Sequence, residues 1–155
     1  MRQEYKELLL NDLCARLDTN LVCSIYRTDD EGVGYRDEVL HGYCKGDIWY
    51  EFYFREDCSI GIDNVSKIKP YLFPLSSMTE EQLYEIKEIT EFKYNHNTLE
   101  LVKWTETHTT LEFWLEEVPQ YKVIEVFDWL NKNHFDYRCL IEKGLAIDAT
   151  GLNIY

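Results

Sequence analysis

The sequence predicts an α+β fold, with one antiparallel sheet of several strands packed by an N-terminal helix, a middle helix and a C-terminal helix pair. Three observations predict it. Apolar residues recur at helical spacing in separated segments, at 3–17, 79–89 and around 123–130. Residues 48–55 (IWYEFYFR) alternate at the period of a strand. The segments follow one another in the order α, several β, α, ββ, αα. No repeat, low-complexity stretch or long linker divides the 155 residues, so 1–155 reads as a single globular domain.

The elements follow in order. Over 3–17, Tyr5, Leu8, Leu9, Leu13 and Leu17 form the apolar side of an amphipathic helix. Glu4, Lys6, Glu7, Asp12 and Arg16 are expected on its wet side. Asp18-Thr19-Asn20 stops the helix, and 21–26 (LVCSIY) reads as a strand. Residues 28–32 read as a turn, and a second strand is expected within 34–44. After a turn at 45–47, the strand at 48–55 places Ile48, Tyr50, Phe52 and Phe54 on one face. Trp49, Glu51, Tyr53 and Arg55 lie on the other, wetter one. Residues 58–62 add a short strand to an antiparallel meander.

Pro70 and Pro74 are expected to keep 66–77 out of any ladder. Ser77 with Glu80, and Thr79 with Gln82, have the spacing of a capping box for the middle helix. Leu83, Ile86 and Ile89 form its apolar side. Residues 98–104 and 110–115 read as a hairpin. Glu116, Glu117 and Pro119 suit the start of a helix whose core face is Val123, Val126, Phe127 and Leu130. Asp136 is placed to cap a short last helix ending at Gly144.

Composition narrows the function classes. The net charge is −13, from 29 acidic and 16 basic residues. Residues 1–77 hold 14 of the acids and 9 of the bases, so the acidity is spread along the chain. Phosphate-backbone binding needs clustered Lys and Arg, so direct nucleic-acid binding and an anionic membrane are disfavoured. A basic protein surface is favoured as partner. No stretch is long and apolar enough for a membrane span, and the first residues lack a leader's apolar core. These points predict a cytoplasmic protein. The five cysteines are odd in number and widely spaced, which suits reduced, mostly buried thiols.

Chemical motifs are absent. No nucleophile elbow, Walker loop or dinucleotide fingerprint occurs. His41, His96 and His108 lack metal-ligand spacing, so neither metal nor cofactor is expected. The densest polar cluster is His134, Asp136, Tyr137 and Arg138. It could bind an anionic ligand, with Lys132 or Arg36 converging on it, or transfer a proton. The structural reading, which the sequence favours, is a helix junction with Asp136 capping the second helix and Phe135 in the core. Trp49, Glu51, Tyr53 and Arg55 have the composition of a protein-binding face if no helix covers them.

Residues 7–17 (ELLLNDLCARL), 69–82 (KPYLFPLSSMTEEQ) and 128–149 (DWLNKNHFDYRCLIEKGLAIDA) resemble segments of small hypothetical proteins encoded by phages and mobile elements of gut bacteria. The resemblance covers under a third of the chain and carries no activity and no functional residue. It implies a phage or mobile-element origin and a place in the host cytosol. Small acidic proteins of that context bind and block host proteins, or sequester a nucleotide signal. The expectation is therefore a non-enzymatic interaction protein that binds and inhibits a host or phage protein with a basic surface. A nucleotide-like small-ligand binder is the alternative, and an enzyme using His134 and Asp136 is a third reading. A homodimer stays open.

Overall fold

The computed structural model describes residues 1–29, 32–45, 50–55, 58–90 and 120–155. The hairpin expected over 98–115, the helix-start residues Glu116, Glu117 and Pro119, the loop histidines His96 and His108, and Trp49 all lie outside them. The chain is α+β. Helix α1 (Gln3–Ala15) precedes five strands: β1 (Val22–Asp29), β2 (Gly32–Val39), β3 (Gly42–Lys45), β4 (Tyr50–Arg55) and β5 (Cys58–Gly61). A 3-10 turn (Ile62–Lys67) leads to β6 (Ile68–Pro74), and a second (Leu75–Ser77) leads to α2 (Glu80–Thr90). Helix α3 (Gln120–Lys132) is followed by two short strands, β7 (Phe135–Asp136) and β8 (Ile147–Asp148).

The single antiparallel sheet of the sequence reading is replaced by two sheets. The meander expected over 21–62 is divided between them: the strand expected within 34–44 is interrupted at residues 40–41, and only β3, β4 and β5 form a meander of their own. The larger sheet runs β2-β1-β6-β7, with β8 also on β6, and is mixed. Strands β2 and β6 lie antiparallel to β1, whereas β7 and β8 lie parallel to β6.

Residues 68–74 are thus the central strand, against the expectation that their prolines would exclude them. The ladder phase gives the reason. In an antiparallel pair, directly opposed residues alternate between hydrogen-bonded and non-hydrogen-bonded pairs. Strand β1 pairs Ser24 with Lys69 and Cys23 with Pro70, where the pairing ends. On the β2 side, the Leu40 N–H donates to the Leu21 carbonyl at 2.8 Å. Odd-numbered β1 residues therefore turn their backbone groups toward β2, and Cys23 turns none toward Pro70. The missing proline N–H costs nothing there. Beyond Pro70 the strand changes partners, to β8 at Tyr71 and Leu72 and to β7 at Phe73 and Pro74.

One core gathers Leu9 and Leu13 of α1, Cys23 and Ile25 of β1, Phe52 and Phe54 of β4, and Ile68 and Leu72 of β6. A second holds Ile86 of α2, Val126 and Leu130 of α3, Phe135 and Tyr137. The alternation read in β4 holds where side chains are described: Phe52 and Phe54 are fully buried, while Glu51 and Tyr53 are half-buried. Helix α2 starts with the reciprocal cap expected of Thr79 and Gln82. The Gln82 N–H donates to Thr79 Oγ1 at 3.3 Å and the Thr79 N–H to Gln82 Oε1 at 2.9 Å. Ser77 is not a second cap; its hydroxyl donates back to the Pro74 carbonyl.

The expected C-terminal helix pair is a single helix, α3. Residues 137–144 form a chain of turns. Asp136 caps it as anticipated, accepting from the N–H groups of Arg138, Leu140 and Ile141 at 3.3, 2.9 and 2.8 Å. Cys139 then adopts φ 57°. A left-handed, non-glycine residue three positions past the cap breaks a right-handed helix. Gly144, at φ 69°, closes the turns as expected. Among the described residues, no helix is long and apolar enough to cross a membrane.

Candidate functional site

The His134–Arg138 cluster lies where α1, the end of α3 and β7 meet. Its organiser is Arg16, which with Asp12 was expected on the wet side of α1. Both are 0% exposed. They sit three and seven residues after Leu9, on the buried stripe of the helix, and their charges cancel. Arg16 Nε and Nη2 donate to the two Asp12 carboxylate oxygens at 2.9 and 3.1 Å. The same guanidinium donates to the Phe135 carbonyl at 2.7 Å and to the Asn131 carbonyl at 3.3 Å. The second of these is a carbonyl of the last turn of α3, which also accepts from the His134 N–H at 3.1 Å; there a cation meets the negative end of the helix dipole.

The junction engages Asp136, Tyr137 and Arg138. Asp136 holds the three N–H groups named above, and burial pushes its carboxyl up from the usual range. The Tyr137 hydroxyl donates to Asn131 Oδ1 at 3.0 Å, and the guanidiniums of Arg16 and Arg138 lie over its ring, 5.5 and 4.8 Å from the centroid. Arg138 reaches Asp12 at 3.4 Å. Asp12 and Asp136 balance the guanidiniums of Arg16 and Arg138, and the Lys143 ammonium at the rim donates to the Arg138 and Cys139 carbonyls at 3.3 and 3.2 Å. Lys132 is exposed at the end of α3, and Arg36 lies on β2 on the face it shares with Ile25.

His134 is 8% exposed, at φ 58°, with its ring stacked on Tyr155 at 3.9 Å between centroids. Its Nδ1 is buried without a hydrogen-bond partner among the described residues. Burial, and then the nearby Arg16 charge, lower its pKa to about 4. It is therefore neutral at physiological pH. Tyr155 closes the fork where β1 and β6 part after Pro70. Its hydroxyl donates to the Tyr71 carbonyl at 2.6 Å, which by register would have bonded Val22. Burial raises this phenol well above its ordinary range.

Of the face read on β4, Glu51 and Tyr53 are adjacent, 3.4 Å apart between Oε2 and the hydroxyl. Trp49 and the Arg55 side chain lie outside the described part. His41 is exposed between β2 and β3. Cys23 and Cys139 are buried, as expected, but Cys14 and Cys44 are exposed. Among the described residues, no group of three or more His, Cys, Asp or Glu could hold a metal ion.

The sequence reading missed a second aromatic face, on β1 and β2. The register opposes Tyr26 to Tyr35, Thr28 to Val33 and Ser24 to Asp37. These six side chains share the face opposite Cys23 and Ile25, and hence opposite the core. The Tyr26 and Tyr35 rings meet edge to face at 5.2 Å. Val33 and Tyr35 are each 65% exposed. Asp37 accepts from the Tyr71 hydroxyl at 3.0 Å, fixing a carboxylate at the border of the patch. The signal was present in the alternation of Val33, Tyr35, Asp37 and Val39 against Gly34, Arg36 and Glu38. It was lost because the second strand was begun at residue 34, which split the pattern.

No protein-family model, curated protein or solved structure matches the chain.

Proposed function

We propose that this chain is a non-enzymatic acidic interaction protein that binds a basic surface of another protein through the outer face of β1 and β2. The observation that carries the reading is the exposure of Val33 and Tyr35 beside Tyr26. Tyrosines held rigidly by a sheet supply large contact area at small entropic cost, and such residues dominate protein interfaces. The surroundings are acidic: residues 27–39 hold five carboxylates and two arginines. With the chain's charge of −13, they steer a basic partner toward the patch. The resemblance to phage and mobile-element proteins makes a host protein the first partner class to try, with inhibition of that protein as the expected consequence.

The face on β4 carrying Trp49, Glu51, Tyr53 and Arg55 is the second surface to test. Small-ligand binding at His134, Asp136, Tyr137 and Arg138 has less support, because the last three are occupied by Asn131, Asp12 and backbone, and the His134 ring is stacked on Tyr155. The experiment is a pull-down from host extract with wild-type protein, a Val33→Ser/Tyr35→Ala variant and a Trp49→Ala/Tyr53→Ala variant. The reading expects one stoichiometric, salt-sensitive partner, lost only with the first variant. Loss only with the second variant moves the site to β4. Retention of a nucleotide and no protein overturns the interaction reading.

A further inference from the structure

We propose that β2 is a docking edge that takes up an extended, basic segment of the partner as an added strand. The inference rests on the interaction reading and specifies how the contact is made. Strand β2 is the terminal strand of its sheet among the described residues. The bond from the Leu40 N–H to the Leu21 carbonyl sets the phase of the ladder. Counting from it, Gly34, Arg36 and Glu38 exchange backbone hydrogen bonds with β1, whereas Val33, Tyr35, Asp37 and Val39 point theirs away, along the outer edge. The two properties coincide at Val33 and Tyr35, which have outward backbone groups and exposed apolar side chains. An incoming strand would gain main-chain hydrogen bonds and side-chain contact together, as strand-addition complexes do.

Charge selects the occupant. The edge has no lysine or proline, the residues that usually protect such strands. In the sequence Asp29, Asp30 and Glu31 immediately precede the strand, and Asp37 lies within it. A lysine- or arginine-rich segment fits. A second copy of this chain would bring its own carboxylates, and like charges would then face each other across the edge.

The test uses the full chain and a synthetic peptide as long as β2, alternating lysine with valine. Its controls are the same peptide N-methylated at alternate residues and a glutamate-for-lysine version. Amide hydrogen exchange is followed by NMR. In the free protein, the amides of Val33, Tyr35 and Asp37 should exchange at least about tenfold faster than those of Gly34, Arg36 and Glu38. The lysine peptide should protect them, and neither control should. Val33→Pro removes one outward donor without touching the β1 ladder. It should weaken the peptide by roughly tenfold, whereas Val33→Ala, which keeps the donor, should weaken it far less. Protection of the edge amides in the free protein means that the edge is already covered and overturns the proposal. Binding that leaves these amides unprotected, or that tolerates N-methylation, overturns strand addition but leaves the acidic aromatic face as the binding surface. Dimerisation through the same amides replaces the basic segment with a second copy. Failure of the lysine peptide to bind at all also overturns the docking edge, and the Val33→Ser/Tyr35→Ala pull-down then decides independently whether the face binds a protein.

Discussion

The junction around Arg16 and the outer face of β1 and β2 break the usual rule of burial in opposite directions. At the junction, Asp12, Arg16, His134 and Asp136 are withdrawn from water. On the outer face, Val33 and Tyr35 are left in it. Buried charges are costly unless paired, and at the junction each of them finds partners that tie α1 to α3 and β7. Exposed apolar side chains gain nothing for the fold. The comparison teaches that the cluster which most resembles chemistry does structural work, while the residues that contribute least to folding are the ones available for binding.

The largest expected effect breaks the junction. Arg16→Met leaves Asp12 buried beside only Arg138 and takes one donor from each of the Asn131 and Phe135 carbonyls, and should cost about 3–5 kcal/mol in urea denaturation. An Asp12→Leu/Arg16→Met double variant should recover much of the loss, because no buried charge then lacks its mate. A single variant costing under about 1 kcal/mol would show that the pair does not hold the junction. Neither change should alter partner binding if the two regions are independent.

Acid probes the same region next. The His134 ring titrates near pH 4 when folded and near its ordinary 6.5 when unfolded. Between these values the unfolded chain binds more protons, so this residue's contribution to stability grows with pH and is complete above about 6.5. The span corresponds to on the order of 3 kcal/mol. Asp136, whose carboxyl is pushed up by burial, works in the opposite sense, its contribution being lost as pH rises through its raised pKa. His134→Asn tolerates the left-handed backbone and should flatten the profile between pH 4 and 6.5. An unchanged slope would place the titration elsewhere.

The limits of the sequence reading follow the same division. Interactions close in sequence were legible: the helix stop at Asn20, which adopts φ 56°, the Thr79–Gln82 cap, and the N–H groups held by Asp136. Those made across the chain were not. Asp12 and Arg16 have the spacing of an ordinary surface pair, and nothing near them announces carbonyls 115 and 119 residues away. The prolines of β6 argued against a strand because their cost depends on ladder phase, which only the partner strand sets. Cys139 offers no residue-type signal for its left-handed turn. In β2 the alternation was visible, but its apolar side faces water, the reverse of the pattern used to orient a strand.

A smaller effect sharpens the boundary between the regions. Tyr155→Phe keeps the ring on His134 and removes only the hydroxyl that meets the Tyr71 carbonyl at the fork. The loss should be about 1 kcal/mol, the usual net value of one hydrogen bond. Hydrogen exchange at Val22, on the opposite side of the fork, should rise with it. A change confined to the His134 ring signals would instead mean that the stack, and not the hydroxyl, closes the fork.

The smallest expected change in stability belongs to the surface on which the proposed function depends. Val33→Ser/Tyr35→Ala removes side chains that face water and leaves every backbone hydrogen bond in place. The cost should be under about 1 kcal/mol, within the range of strand-propensity effects. Deletion of one aromatic contact at the centre of an interface often costs 2 kcal/mol or more, about thirtyfold in affinity. Melting temperature and partner affinity should therefore separate: the first nearly unchanged, the second much reduced. Arg16→Met should show the reverse. If the surface variant unfolds the protein, Val33 and Tyr35 are part of the core and the contrast between the regions collapses. If it alters neither quantity, the exposed tyrosine face is inert and the β4 face becomes the surface to pursue.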